Sequence, residues 1–293
     1  MTLPRSGTLV AYPTGALDGE SVVRHVEALP DGRAAVLTDE TPVHPVDARW
    51  PDQSADRAEF VLGGDGSRRI PIVDAIVGAT DGASLFVGDD VPVRPGAEGW
   101  ASVVVHVVDA ADAGALQEGD AVGFQVDPEL RAALSLGHTA CHLASLALNL
   151  AVADRWSKQP RTDGLGTPDF DGLAIERSRI LEGGSLDRYR LNKSLRRAGF
   201  QTEGLVDALA EIERRVEARL AIWVDAAAPI RIERAGDALA DRREWVAELP
   251  EGTVRIPCGG THVHSTAELA GLRVGFTLDD DAGTPVLVMS SSR

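Results

Sequence analysis

The stretch DPELRAALSLGHTACHLASLALNLAVADRW, residues 127–156, divides the chain into a strand-like half and a half that mixes helices with strands. Asp127 ahead of Pro128, with Glu129 in the first turn, is a helix start. The Asp carboxylate accepts from free backbone N–H groups, the proline has no N–H to lose, and the acid suits the positive end of the helix dipole. Apolar spacing carries the helix to about Trp156. Leu134, His138, His142, Ser145 and Asn149 fall near one stripe, because residues three and four apart stack on the same face. Both imidazoles therefore point the same way, with Cβ atoms roughly 5 to 6 Å apart, close enough to share one ion.

Residues 1–125 read as strands and turns. GTLVAY, RAAVLT, AEFVLG, IVDAIVG, ASLFVG and ASVVVHVV are short β-branched runs separated by Gly, Asp and Pro. They predict a β-rich N-terminal domain, barrel-like or sandwich-like. Residues 126–293 predict an α+β domain that carries the histidine helix and a sheet. From Thr202 to about Trp223, Leu205, Leu209, Ile212, Val216 and Leu220 recur at helical spacing. PIRIERA, GTVRIPC, LRVGFTL and TPVLVMS then return to strand patterning.

With 44% hydrophobic and 25% charged residues, the 293-residue chain is not disordered as a whole and can bury a sizeable core. The start, MTLPRSGTLVAYPTGALDGE, lacks a basic region followed by a long apolar run, and no stretch reaches the roughly 18 to 20 apolar residues of a spanning helix. A soluble, cytoplasmic protein with no membrane partner is the expectation. The formal charge of -16 argues against DNA and against non-specific nucleic-acid binding. Residues 155–197 depart from that balance, with ten basic residues against six acids, a local +4. Arg177, Arg179, Arg188, Arg190, Lys193, Arg196 and Arg197 are the candidate phosphate contacts there, with Trp156 and Tyr189 available for stacking. A solvated, salt-bridged face is the competing reading.

Only two cysteines are present, and each lies beside histidines, so metal or nucleophilic chemistry outranks a Cys141–Cys258 disulfide. The second one opens CGGTHVHST, residues 258–266, four positions ahead of His262. A thiolate and a third imidazole would complete a tetrahedral donor set with His138 and His142, and that set suits Zn2+ better than the oxygen-seeking Mg2+ or Ca2+. For the histidine pair, the competing reading is a polar stripe on a buried helix; for Cys258 it is a small buried hydrophobe. A catalytic zinc keeps one position open. His262 is the ligand expected to be loose, and His264 is expected to be a neighbour and not a ligand. Gly259 and Gly260 let backbone approach an ion or substrate closely, or simply form a tight turn.

HTACH within LRAALSLGHTACHLASLAL, together with CGGTHVHSTAEL, resembles the paired HxxxH and CxxxH motifs of the alanyl-tRNA synthetase editing domain and its freestanding AlaX-type trans-editing relatives. The upstream GDAVGFQVDPELR is also similar to the segment leading into that family's metal helix. The resemblance implies that His138, His142, Cys258 and His262 hold zinc. It implies that Thr139 contacts a substrate hydroxyl. The Gly259 and Gly260 amides are candidates to stabilise negative charge on an ester oxygen, with a simple tight turn as the competing reading, and Thr261 is a candidate substrate contact. The resemblance further implies hydrolysis, in trans, of the ester joining a wrong amino acid to the 3′ end of a tRNA. Expected substrates are Ser or Gly on alanine tRNA, or a threonine-like or non-proteinogenic analogue such as halogenated threonine on threonine tRNA. The alternative is a tRNA-binding or regulatory protein with a structural zinc. Where the family has a glycine-rich GGGQP-x-D loop, this chain reads HPVDARWPDQSAD, keeping Gln53 and Asp56 as substrate-side candidates and losing every glycine.

Overall fold

A computed structural model describes residues 3–63 and 67–293. The fold is α+β, built mostly from antiparallel sheets, and forms two compact units. One contains the chain up to Arg131 together with 234–243 and 259–261; the other contains 132–233, 244–258 and 262–293.

Besides a short parallel pair, Leu9–Val10 with Glu40–Thr41, the first unit carries an eight-stranded antiparallel sheet. Across it the order is Arg68–Ile72, Ala58–Leu62, Ala121–Val126, Asp18–Ala28, Arg33–Thr38, Ala101–Asp109, Asp74–Thr80, Leu85–Val87. The expected barrel does not form, because the sheet is open at Arg68–Ile72 and Leu85–Val87. Pro71 lacks the N–H that a closing ladder would use, and the other edge strand is only three residues long. Strand Ala101–Asp109 explains the unbroken VVVHVV run. Val104 and Val108 join one core, Val103, Val105 and Val107 another, so apolar residues are needed on both faces.

His106 sits in that strand with no exposed surface, its ring against Phe60 and Phe124. The Nδ1–H donates to the Val36 carbonyl at 3.1 Å, and the Thr41 hydroxyl, 2.9 Å away, donates to Nε2. Burial pushes this imidazole down to about 4, below the ordinary 6.5. The sign follows directly. Its contribution to stability is present above pH 6.5 and is lost as the pH falls towards 4, since the unfolded chain takes up a proton that the native ring refuses. The loss expected from this side chain is on the order of 3 kcal/mol. NMR titration should give a His106 midpoint near 4, and His106→Gln should remove one proton's worth of acid sensitivity from denaturation curves. A midpoint near 6.5 would sink this reading.

In the second unit a four-stranded antiparallel sheet runs Ile175–Leu181, Gly184–Arg190, Thr284–Ser292, Arg273–Asp281. A three-stranded sheet runs Ile230–Arg234, Arg243–Leu249, Gly252–Pro257. Helix Leu205–Asp225 buries Leu205, Ile212, Val216 and Leu220, as its spacing predicts, and Trp223 with them, while Leu209 is only half-buried. The histidine helix is Pro128–Ala151, capped by Asp127, whose Oδ1 accepts from the Glu129 and Leu130 amides at 3.0 and 3.1 Å. It ends five residues before the expected Trp156, and a 3-10 turn, Ala153–Arg155, follows.

Two features seat that helix. The LEGGS turn closes the hairpin of Ile175–Leu181 with Gly184–Arg190, and it packs against Gly137. A Cβ on Gly137 would lie 2.2 Å from the Leu181 carbonyl oxygen and 2.5 Å from that of Gly184, so any side chain there collides with backbone. The Gly183 N–H also donates to the Ala133 carbonyl at 2.9 Å. On the sheet side, Cys141 donates to Asp187 at 3.3 Å, and Ser145 lies 3.4 Å from the Tyr189 hydroxyl. Burial holds the Asp187 carboxyl above its usual range and pushes Asp171 up to about 6.

Candidate metal centre

The helix places His138 and His142 one turn apart, with ring centroids separated by 4.9 Å. Cys258 follows strand Gly252–Pro257, whose Pro257 ends the ladder. The chain then reaches His262 and is fixed immediately afterwards by a capping box. Ser265 accepts from the Ala267 amide, and Glu268 accepts from the Ser265 and His264 amides. Thr266 is pinned as well, its hydroxyl donating to the Trp223 carbonyl at 2.6 Å.

His138, His142, Cys258 and His262 converge. One donor atom from each lies within 4.8 Å of all the others. Cys258 Sγ is 3.4 Å from His138 Nε2 and 3.2 Å from His262 Nε2. Zn–N bonds of about 2.0 to 2.1 Å and Zn–S of about 2.3 Å imply donor separations of roughly 3.3 to 3.6 Å around a tetrahedron, so the two sulfur–nitrogen spacings lie within a few tenths of an ångström of what a zinc-sized ion needs, and donors as far apart as 4.8 Å would close in by about an ångström on binding. His142 supplies the clearest sign. The residue as a whole is half-buried, yet its Nε2 is fully buried and has no hydrogen-bond partner, a costly state unless a cation takes its lone pair. Burial pushes this imidazole down to about 4, which keeps it neutral and able to ligate at neutral pH.

Trp245, fully buried on strand Arg243–Leu249, lies 5.1 Å from the His142 ring and 6.1 Å from the His262 ring. The REWVAEL pattern identifies a strand but not this contact, since a buried tryptophan looks the same in any core. His264 is exposed and outside the cluster, as the sequence reading has it. His262 is tethered at both ring nitrogens, through Cys258 at Nε2 and Thr139 at Nδ1, which opposes the expectation of a loose ligand. Ser145 and Asn149, placed by sequence on the histidine stripe, bond instead to Tyr189 and Asp163. Cys141 and Cys258 are not joined in a disulfide, and Cys141 is turned to Asp187.

In the first unit, Gln53 Nε2 donates to Thr261 Oγ1 at 3.0 Å, so two of the three substrate-side candidates meet. Asp56 is committed elsewhere. Its carboxylate takes Arg131 through Nε at 2.9 Å and through Nη2, and the His44 amide at 2.6 Å. Gly259 and Gly260 do not adopt the left-handed backbone that favours glycine, and no atom stands within 4 Å of where a Gly259 Cβ would be. The basic residues divide. Arg177, Arg179, Lys193, Arg196 and Arg197 are exposed. Arg188 pairs with Asp279, and Arg190 with Asp281 and Glu176, so acids on strand Arg273–Asp281 offset part of the local positive charge.

Fold and donor set together define an α+β protein with a three-histidine, one-cysteine cluster that could hold a metal ion, consistent with zinc. The chain is 24% identical over 259 residues, 88% of its length, to the alanine–tRNA ligase, chloroplastic/mitochondrial, of Arabidopsis thaliana. It spans 22% of the length of that protein. No protein-family model matches the chain. A distant relationship to alanyl-tRNA synthetases is what this similarity supports.

Proposed function

We propose that the chain is a zinc-dependent hydrolase acting in trans on mischarged aminoacyl-tRNA, with a small or β-hydroxy amino acid, or a threonine-like analogue, as the group removed. The observation that carries this reading is the convergence of His138, His142, Cys258 and His262 in a chain similar to an alanine–tRNA ligase. Zinc held there supplies Lewis acidity that polarises an ester carbonyl and acidifies water. The protein's own residues do the rest. The four donors fix the ion's place, Trp245 gives the cluster an apolar wall that excludes bulk water, and Gly259 leaves the backbone after Cys258 open to approach. Gln53 and Thr261, bonded to each other, are the proposed amino-acid-side contacts. Exposed Arg177, Arg179, Lys193, Arg196 and Arg197 are the proposed acceptor-stem contacts, with affinity falling steeply as salt rises.

A structural zinc in a tRNA-binding protein is the second reading, favoured by the four protein donors, which already fill a tetrahedral shell. A panel of tRNAs carrying Ser, Gly, Ala, Thr and halogenated Thr decides between them. The zinc-loaded protein should deacylate at least one mischarged species, and dialysis against a chelator should stop it. Binding of tRNA without hydrolysis of any member would replace the hydrolase reading with the structural one.

A further inference from the structure

We infer that Thr139 is a positioning residue whose hydroxyl sets the tautomer and orientation of His262, presenting the Nε2 lone pair to the metal, and that it does not touch substrate. This rests on the metal centre proposed above and not on the identity of the substrate.

A threonine hydroxyl has one proton to give and two lone pairs to offer. Three groups surround Thr139 Oγ1: the Ser135 carbonyl at 2.8 Å, the Val263 amide at 3.2 Å and His262 Nδ1 at 3.2 Å. A carbonyl only accepts, so the shortest contact takes the hydroxyl proton, in the bond to the preceding helical turn that threonines make readily. An amide only donates, so Val263 N–H takes one lone pair. The remaining lone pair faces His262 Nδ1, and that contact is a hydrogen bond only if Nδ1 carries the proton. In a neutral imidazole one nitrogen is protonated and the other bare. Nε2 is therefore the bare one, and it is the atom 3.2 Å from Cys258 Sγ in the donor cluster. The opposite tautomer would aim an N–H at the metal position.

Two further facts agree. Thr139 has no exposed surface, and all of its hydrogen-bonding capacity is used, so nothing is left for a substrate hydroxyl. The bond also fastens the His262–Val263 segment to the histidine helix, joining donors that lie 120 residues or more apart in sequence. Such partners behind ligand histidines fix ring orientation and basicity, and their loss typically costs about 10- to 100-fold in metal affinity.

The test uses Thr139→Val, which keeps the shape and removes the hydroxyl, and Thr139→Ser, which keeps the hydroxyl. Zinc affinity is measured by competition with a chromogenic chelator, and the His262 tautomer by nitrogen NMR of the metal-free protein. The expected result is a loss of about 10- to 100-fold in affinity for Thr139→Val, little change for Thr139→Ser, and Nδ1–H at His262 in the wild type. Any hydrolysis lost in Thr139→Val should return at saturating zinc. The proposal is overturned if Thr139→Val binds zinc like the wild type, if wild-type His262 carries its proton on Nε2, or if hydrolysis stays low at full zinc occupancy. A wild type that binds no zinc would remove the metal centre itself, while the NMR tautomer still judges the Thr139–His262 bond. Circular dichroism separates either outcome from misfolding of the valine variant.

Discussion

His142→Ala is expected to lower zinc affinity by roughly a hundred- to a thousandfold, since binding energies of about 10 to 16 kcal/mol are shared among four ligands. This position gives the cleanest test because His142 Nε2 makes no hydrogen bond that the substitution would break. What is lost without metal is packing against Trp245, a cost of about 1 to 3 kcal/mol that leaves the unit folded. Metal content after desalting, chelator competition and deacylation should fall together. Zinc that binds only the native state also raises the denaturation midpoint of the wild type, and the variant should lose that increment. Equal zinc retention by both proteins would mean that His142 is a core histidine and that the four-residue spacing carries no metal.

Asp56→Ala carries the largest expected effect on stability, about 3 to 5 kcal/mol. Arg131 is 5% exposed and its guanidinium is held by Asp56, with further donation to the Pro42 carbonyl at 2.8 Å and the Ala16 carbonyl at 3.2 Å. Removing the carboxylate leaves a buried charge without its counterpart and releases the His44 amide, which Asp56 also accepts. The reverse change, Arg131→Met, should cost a similar amount by stranding the carboxylate. The double variant Asp56→Leu with Arg131→Met should recover most of the loss, because the pair's desolvation is then no longer required. Chemical denaturation of the four proteins gives the coupling. A single-variant loss below about 1 kcal/mol would show the pair to be solvated in practice.

Sequence carried the donors and much of the architecture because their signals are local. Asp127, Pro128 and Glu129 announce the helix by backbone chemistry alone, and a four-residue spacing on a helix is already a geometry. What sequence did not carry depends on partners far along the chain. Asp56 looks like a pocket residue until Arg131 is found against it. Gly137 looks like a weak helix position until the turn at Leu181–Gly184 is found where its side chain would be. Thr139 looks like a free hydroxyl beside a ligand until Val263 and His262, more than 120 residues later, use it up. The positive balance of residues 155–197 omitted Asp279 and Asp281, which the sheet brings alongside. An open sheet and a closed one share the same strand patterning, and only the edges, Pro71 and the short Leu85–Val87, distinguish them.

The four-stranded sheet sets an order of events during synthesis. Strand Thr284–Ser292 lies between Gly184–Arg190 and Arg273–Asp281 and is paired with both. All four donor residues leave the ribosome before it does, yet the Gly184–Arg190 hairpin that seats the histidine helix has no inner partner until it arrives. The donor spacing is therefore expected to be set late, once translation has passed the last candidate ligand by some thirty residues and the hairpin behind the histidine helix has gained its inner strand.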